Sequence, residues 1–191
     1  NWFSFTYKKF GKTPTLKKFY HTNFSNDLAQ KIFDLNDPDF VADAQNKTIL
    51  VQGWMFRDLQ NMRKHHKIIC KFFTPVAPYK AEVDRIANEA KTKAAVLIGV
   101  HIRRGDYKDF AGGRWFYSDN DYANWMKSLK SKYAAIGKTC IFLIASNDFV
   151  QMNTFEGLDV IYEPRHFIVD LYLLAKCDEI IGPPSTFSQW A

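Results

Sequence analysis

His101, Arg103, Arg104 and Asp106 follow directly on a run of apolar residues in the segment 95–107, AVLIGVHIRRGDY. A short run rich in Val and Ile, stopped by a glycine, predicts a strand buried on both faces, as in a parallel sheet. The four polar residues then sit at the strand's C-terminal end, the edge where open α/β sheets bind ligands. Two arginines and a histidine at that edge suit an anionic ligand such as a nucleotide diphosphate. Strand alternation places His101 and Arg103 on one face, Ile102 and Arg104 on the other. Arg103 is therefore expected to meet the phosphate, with His101 beside it. Arg104 and Asp106 have two readings: a direct part in the ligand site, or an ion pair that fixes the turn.

Two further strand ends carry polar clusters. The run 139–145, TCIFLIA, ends in Ser146, Asn147 and Asp148, and the short run 179–182 is followed by Pro183, Pro184, Ser185, Thr186, Phe187 and Ser188. Two prolines force a turn, and Ser185 is a helix-capping residue. Such a turn presents backbone N–H groups and hydroxyls at the positive end of a helix dipole, where phosphate oxygens are held. Asp148, with Asn147, either accepts hydrogen bonds from a base or ribose or caps a following helix. If the strands are parallel, all three clusters lie along one edge of the sheet.

The elements that must position these clusters alternate strand and helix. Residues 48–54, TILVQGW, read as a strand, and 57–73 as a helix with Leu59, Met62, His66, Ile69 and Phe73 at helical spacing. Arg63, Lys64, His65, Lys67 and Lys71 fall on its other faces. A second polar helix covers 79–93. Ser118 to Asp121 have capping-box character and start a helix with Tyr122, Trp125, Met126, Leu129 and Tyr133 on one face, stopping near Gly137. A short strand at 159–162 and a helix at 165–176 complete the series. The expected fold class is α/β, a Rossmann-like parallel sheet with flanking helices. Residues 1–47 are expected to form a partial N-terminal or connecting region, and 48–191 the nucleotide-binding domain.

The chain has 191 residues, 47% of them hydrophobic, and a net charge of +6. That is enough for a folded core, and the positive balance favours anionic partners. Aromatics interleaved with lysines in 1–24 match a single-strand nucleic-acid surface, but edge strands with snorkelling lysines are the simpler reading. Asp37-Pro38-Asp39 and Asp119/Asp121 fit the DxD metal pattern formally; a turn and a helix cap explain them better. His65 and His66 point about 100° apart on a helix and share one ion poorly. Gly137-Lys138-Thr139 lacks the glycine a P-loop needs, since Lys132 stands there. Cys70, Cys140 and Cys177 lack metal-ligand spacing and read as buried reduced thiols. No apolar run approaches the roughly 18 to 20 residues of a membrane span, and no signal peptide is visible. The chain opens on Asn1 and stops at Ala191 after an apolar, aromatic stretch, so a piece cut at both ends is expected.

His101 to Tyr107, HIRRGDY, resembles the HxRRxDY motif of the α-1,2-fucosyltransferases, glycosyltransferase family 11. FLIASND at 142–148 resembles that family's second motif, and 171–191, ending IGPPSTFSQWA, its third; VQGWMFRD at 51–58 is similar to the segment before the first. The resemblance implies the nucleotide-binding half of a GT-B type, inverting enzyme that moves fucose from GDP-fucose to the 2-hydroxyl of a galactose-containing glycan. It implies no metal and no other cofactor. His101 and Arg103 would contact GDP; Ser185, Thr186 and Ser188 would hold the diphosphate; Asp148, with Asn147, would approach the guanosine. Arg103, Arg104 and Asp106 are the candidates for the catalytic group. The implied partners are a GDP-sugar donor and a glycan acceptor, with no nucleic acid and with peripheral membrane association. The implied location is the cytoplasm or inner membrane surface of a bacterium, which is favoured, or the Golgi lumen of a eukaryote. Another GDP-sugar transferase of the same superfamily is the alternative. Asn147 stands where many relatives carry an acid, and Pro183-Pro184 replaces an Asn-containing approach to the third motif. The family's glycine-rich segment with Gly-Asn-Gln is absent, so the GT-B fold is expected to be incomplete. Arg104-Gly105-Asp106 also spells an adhesion tripeptide, but it abuts a buried strand rather than an exposed loop.

Overall fold

The computed structural model describes residues 18–21, 32–52 and 55–191. Most of the basic, aromatic segment 1–24 therefore lies outside the described residues, as do Gly53 and Trp54. The chain divides into two compact units, Asn1–Phe73 and Thr74–Ala191; the sequence-based boundary after residue 47 falls inside the first.

In the first unit, β1 (Lys18–His21) and β2 (Phe33–Asp34) precede helix α1 (Pro38–Asn46), which leads to β3 (Ile49–Gln52), β4 (Phe56–Arg57) and α2 (Leu59–Phe72). β1 pairs in parallel with β3, and β2 with β4. The segment 25–47, read from sequence as connecting chain, thus contains a strand and a helix. Asp37 starts the helix by accepting hydrogen bonds from the backbone N–H groups of Asp39 and Phe40, with Pro38 in the first turn, where a missing N–H costs nothing. The first formal DxD is a helix cap. Phe33 packs edge-to-face on Phe40 and Phe56, with centroids 5.5 and 5.3 Å away. Asp58 caps α2 through the Asn61 N–H at 3.0 Å.

The second unit runs α3 (Ala77–Lys93), β5 (Val96–Ile102), two 3-10 turns (Gly105–Lys108 and Phe110–Gly113), α4 (Asp119–Ala134), β6 (Cys140–Ser146), a 3-10 turn (Met152–Phe155), β7 (Val160–Ile161), α5 (Phe167–Leu174), β8 (Glu179–Ile181) and α6 (Thr186–Trp190). The strands form one parallel sheet in the order β7-β6-β5-β8. All seven residues of β5 are buried. Alternation sends Ile98, Val100, Ile102, Phe142 and Ile144 to the side of Tyr122 and Met126 on α4. Leu97, Leu143 and Ala145 point the other way, against Ile86 and Ala90 of α3 and Val169 and Leu173 of α5. The chain is thus a parallel α/β protein with helices on both faces of its larger sheet, as its continuous apolar strands demand.

Second-unit capping follows the sequence signals. Ser118 and Asp121 form a reciprocal capping box at α4. At α5 the cap is His166, whose Nδ1 accepts from the Ile168 N–H at 3.3 Å, so the helix starts two residues later than its apolar spacing suggested. Arg165 is consequently left in the loop before it. Cys140 is buried and Cys177 partly so, but Cys70 is exposed, because α2 buries none of its residues. No helix among the described residues is long and apolar enough to cross a membrane.

Gly99, at the centre of β5, lets the end of α5 lie against bare backbone: a Cβ there would stand 2.7 Å from Leu174 Cδ2 and 3.1 Å from Cys177 Sγ. Gly99→Val should lower unfolding stability by about 3 kcal/mol in urea titration, through overpacking rather than loss of β propensity.

Candidate functional site

β5 and β6 run in register to their ends, with His101 opposite Ala145 and Ile102 opposite Ser146. β8 joins on the other side of β5 and ends with Ile181 opposite Val100, so Gly182 comes to lie beside His101. A Cβ on Gly182 would be 2.4 Å from the His101 carbonyl oxygen, and its φ of +148° is open only to glycine. This close approach lets the chain leave β8, turn through Pro183 and Pro184, and set Phe187 of α6 against the His101 ring at 5.2 Å. The three polar strand ends do meet along one edge.

His101 is buried, and its Nδ1 has no hydrogen-bond partner. Burial, with the neighbouring Arg103 charge adding to it, lowers its pKa from 6.5 to about 4. The ring is neutral at physiological pH, offering one donor and one acceptor. Arg103, on the same face, is half-exposed. Its Nη2 donates to Asp106 Oδ1 at 2.7 Å, and its guanidinium lies 5.3 Å from the centre of the Tyr107 ring. Tyr107 in turn donates its hydroxyl to the Pro184 carbonyl at 2.6 Å, fastening the turn after β5 to the turn before α6.

Arg104 faces the opposite side, as alternation requires. Its Nη1 donates to the Phe149 carbonyl at 2.8 Å, its Nη2 to Asp119 Oδ1, and its backbone N–H to Asn147 Oδ1 at 2.8 Å. Asp119 Oδ2 also accepts from the Gln151 N–H at 3.2 Å. Arg104 therefore ties the end of β5 to the loop after β6 and to the start of α4, and its acid is Asp119, while Asp106 serves Arg103.

A cleft of about 390 Å³ opens at these strand ends. Of the residues singled out from sequence, His101, Arg103, Asn147, Ser185 and Thr186 line it. Ser185 Oγ accepts from the Phe187 N–H at 3.2 Å and leaves its own proton available. Arg104, Asp106, Asp148 and Ser188 are not among its walls. Asp148 accepts from the Phe149 N–H at 2.7 Å, and Ser188 donates to the Ser185 carbonyl at 3.3 Å while facing a neighbouring, more open cleft of about 670 Å³. That second cleft is lined by Trp115, Tyr117, Trp125 and Pro184, and shares Ser185 with the first.

Two charged lining residues escaped the sequence reading, Arg165 and Asp170. The Arg165 side chain is only 2% exposed. Its Nε donates to Asp170 Oδ1 at 3.0 Å and its Nη2 to the Ile144 carbonyl at 3.0 Å. β7 pairs with β6 only as far as Leu143, and the next carbonyl is taken by Arg165. Arg165 Nη1 is buried without a hydrogen-bond partner; the Glu163 carboxylate is 3.7 Å away. Burial raises the Asp170 pKa despite the opposing charge and hydrogen bond of Arg165. The signal for Asp170 was present: it is the one acid in the otherwise apolar helix FIVDLYLL. Among the described residues, no group of three or more His, Cys, Asp or Glu side chains is placed to hold a metal ion.

Residues 80–191 match the family model described as glycosyl transferase family 11. The chain belongs to that family. The match takes in every residue of the two clefts. Among solved structures, the apo form of POFUT1 (crystal form I) is similar to this family 11 chain over 98% of its length and 74% of that chain, at 11% identity and a TM-score of 0.39. No curated protein matches it.

The site predicts two separable losses. Arg104→Ala leaves Asp119, whose side chain is only 14% exposed, without its charge partner; unfolding stability should fall by about 3 kcal/mol in denaturant titration. His101 acts through pH. The folded state keeps it unprotonated down to about 4, whereas the unfolded chain protonates it near 6.5. Its contribution is complete above 6.5 and is lost as pH falls through that interval, about 3 kcal/mol in all. Stability measured from pH 7 to pH 4 should lose that much of its slope in His101→Gln.

Proposed function

We propose that this family 11 chain binds GDP-fucose and transfers fucose, with inversion, to the 2-hydroxyl of a galactose-containing glycan, as the donor-binding half of a GT-B type enzyme. The observation that carries the reading is the cleft in which Arg103 stands beside a neutral, buried His101.

Asp106 and Tyr107 hold the Arg103 guanidinium in place and use only part of its donor set. The remaining N–H groups face the β-phosphate. As the bond from fucose C1 to the phosphate oxygen breaks, negative charge accumulates on that phosphate. A fixed guanidinium stabilises this charge more in the transition state than in the ground state. A neutral His101 adds a donor without a second positive charge against Arg103. Thr186 and the free Ser185 proton supply further donors to the diphosphate. No step of this scheme calls for a divalent ion. Guanine presents N1–H and N2–H₂ donors along one edge, and the Asp170 carboxylate is the acceptor matched to them, with Arg165 oriented to the base carbonyl. Asn147, in the cleft wall, and Asp148, next to it in the chain, suit the ribose. The aromatic cleft beside Ser185 offers Trp115 and Trp125 ring faces to the acceptor sugar.

Isothermal titration with GDP in the presence of EDTA should show binding that Arg103→Ala weakens at least about tenfold, the loss of one charge-assisted phosphate contact. Asp170→Asn should narrow the preference for GDP over ADP. In a donor screen, GDP-fucose should be consumed in preference to GDP-mannose and UDP-sugars, and linkage analysis should give an α-1,2 product. Transfer from a UDP-sugar alone, or no GDP binding, would sink the proposal.

A further inference from the structure

Helix α2 (Leu59–Phe72) lines neither cleft, and its composition is unlike that of the other helices. Its sequence, LQNMRKHHKIICKF, has four lysines and arginines and no acid. At about 100° per residue, Leu59, Met62, Ile68, Ile69 and Phe72 fall within one half of its circumference. That half is interrupted by Asn61, His65 and His66. Arg63, Lys64, Lys67 and Lys71 occupy an arc of about 100° on the opposite side.

An apolar half of this kind usually marks the face a helix turns to a core. α3, of similar length, obeys the rule, burying Val83, Ile86, Ala87 and Ala90 and pairing Lys80, Arg85 and Lys93 with Asp84 and Glu89. α2 does neither. It buries no residue; Phe72 is 80% exposed and Ile68 69%. None of its four lysines and arginines has an acidic partner among the described residues.

We infer that α2 is an in-plane anchor for an anionic lipid surface. A helix that is strongly two-sided yet polar over much of its length, cationic on one side and carrying Leu, Met, Ile and Phe on the other, sinks its apolar half to the acyl boundary and leaves its bases among the headgroups. Charge complementarity selects the occupant. A zwitterionic surface would cover the apolar half but leave the cluster of like charges unanswered. A nucleic acid would answer the charges and leave Ile68 and Phe72 in water. An anionic bilayer answers both, and the chain's net charge of +6 adds to the attraction.

Flotation of the intact chain with phosphatidylcholine vesicles, and with vesicles of equal parts phosphatidylcholine and phosphatidylglycerol, tests the inference. Binding should be strong only to the second, and should weaken with added salt. The combined Lys64→Glu, Lys67→Glu and Lys71→Glu variant should lose it by about a hundredfold, at roughly fivefold for each base removed. Met62→Ser with Phe72→Ser should also lose most of it. All five side chains are exposed, so circular dichroism and urea unfolding should match the parent. Equal binding to both vesicle types, binding that survives either variant, preference for a single-stranded oligonucleotide over the anionic vesicles, or a Phe72-dependent dimer in sedimentation would each overturn the assignment.

Discussion

A strand covered on both faces has no side to spare for polar groups until it ends, and the arrangement of this molecule follows from that restriction. β5 stays apolar on both faces from Val96 through Val100, and its first polar side chain is His101. Beyond Ile102 the chain must place two arginines on opposite sides of the sheet. Arg103 goes to the side of α5 and α6, where a cleft forms. Arg104 goes to the side of α4, where Asp119 and the Phe149 carbonyl are waiting. One dipeptide thus supplies a cleft-lining group and a structural tie, and the two do not compete for the same acid.

The three arginines around the strand ends show how environment divides labour among identical side chains. Arg104 is nearly enclosed, with both terminal nitrogens given to protein partners and its Nε buried without one. Arg103 is half in water, steadied by Asp106 and Tyr107, and keeps donors in reserve. Arg165 is the most enclosed of all and, like Arg104, keeps one buried nitrogen without a hydrogen-bond partner, its Nη1. Exposure alone does not say which of them line the cleft: Arg103 and Arg165 do, and Arg104 does not. What separates them is which donors remain after the fold has taken its share.

Period-two alternation along β5 was legible from residues 95–107 and correctly divided His101 and Arg103 from Arg104. The parallel sheet was legible from its apolar runs, and the Ser118 capping box from its spacing. Asp170 left a signal that went unread, a lone acid in an apolar helix, but Arg165 left none, because its place rests on a carbonyl of β6, Ile144, that becomes available only once β7 stops short. No local pattern announces where a neighbouring strand will end. The same limit applies to the acid that serves each motif arginine. Asp106 is nearest in sequence to Arg104, but Arg104 reaches across to Asp119, 15 residues on. α1 went unread because its starting signal, Asp37 followed by Pro38, is equally the signature of a turn.

Gly182 lets the turn before α6 close over His101. The His101 Nδ1 and Arg165 Nη1 atoms are stripped of water when the chain folds, whether or not anything occupies the cleft. Leaving them unpaired is an energetic liability of the native state. Selection for a more robust protein would favour pairing these atoms, so their persistence is a cost the fold carries at the end of its central strands.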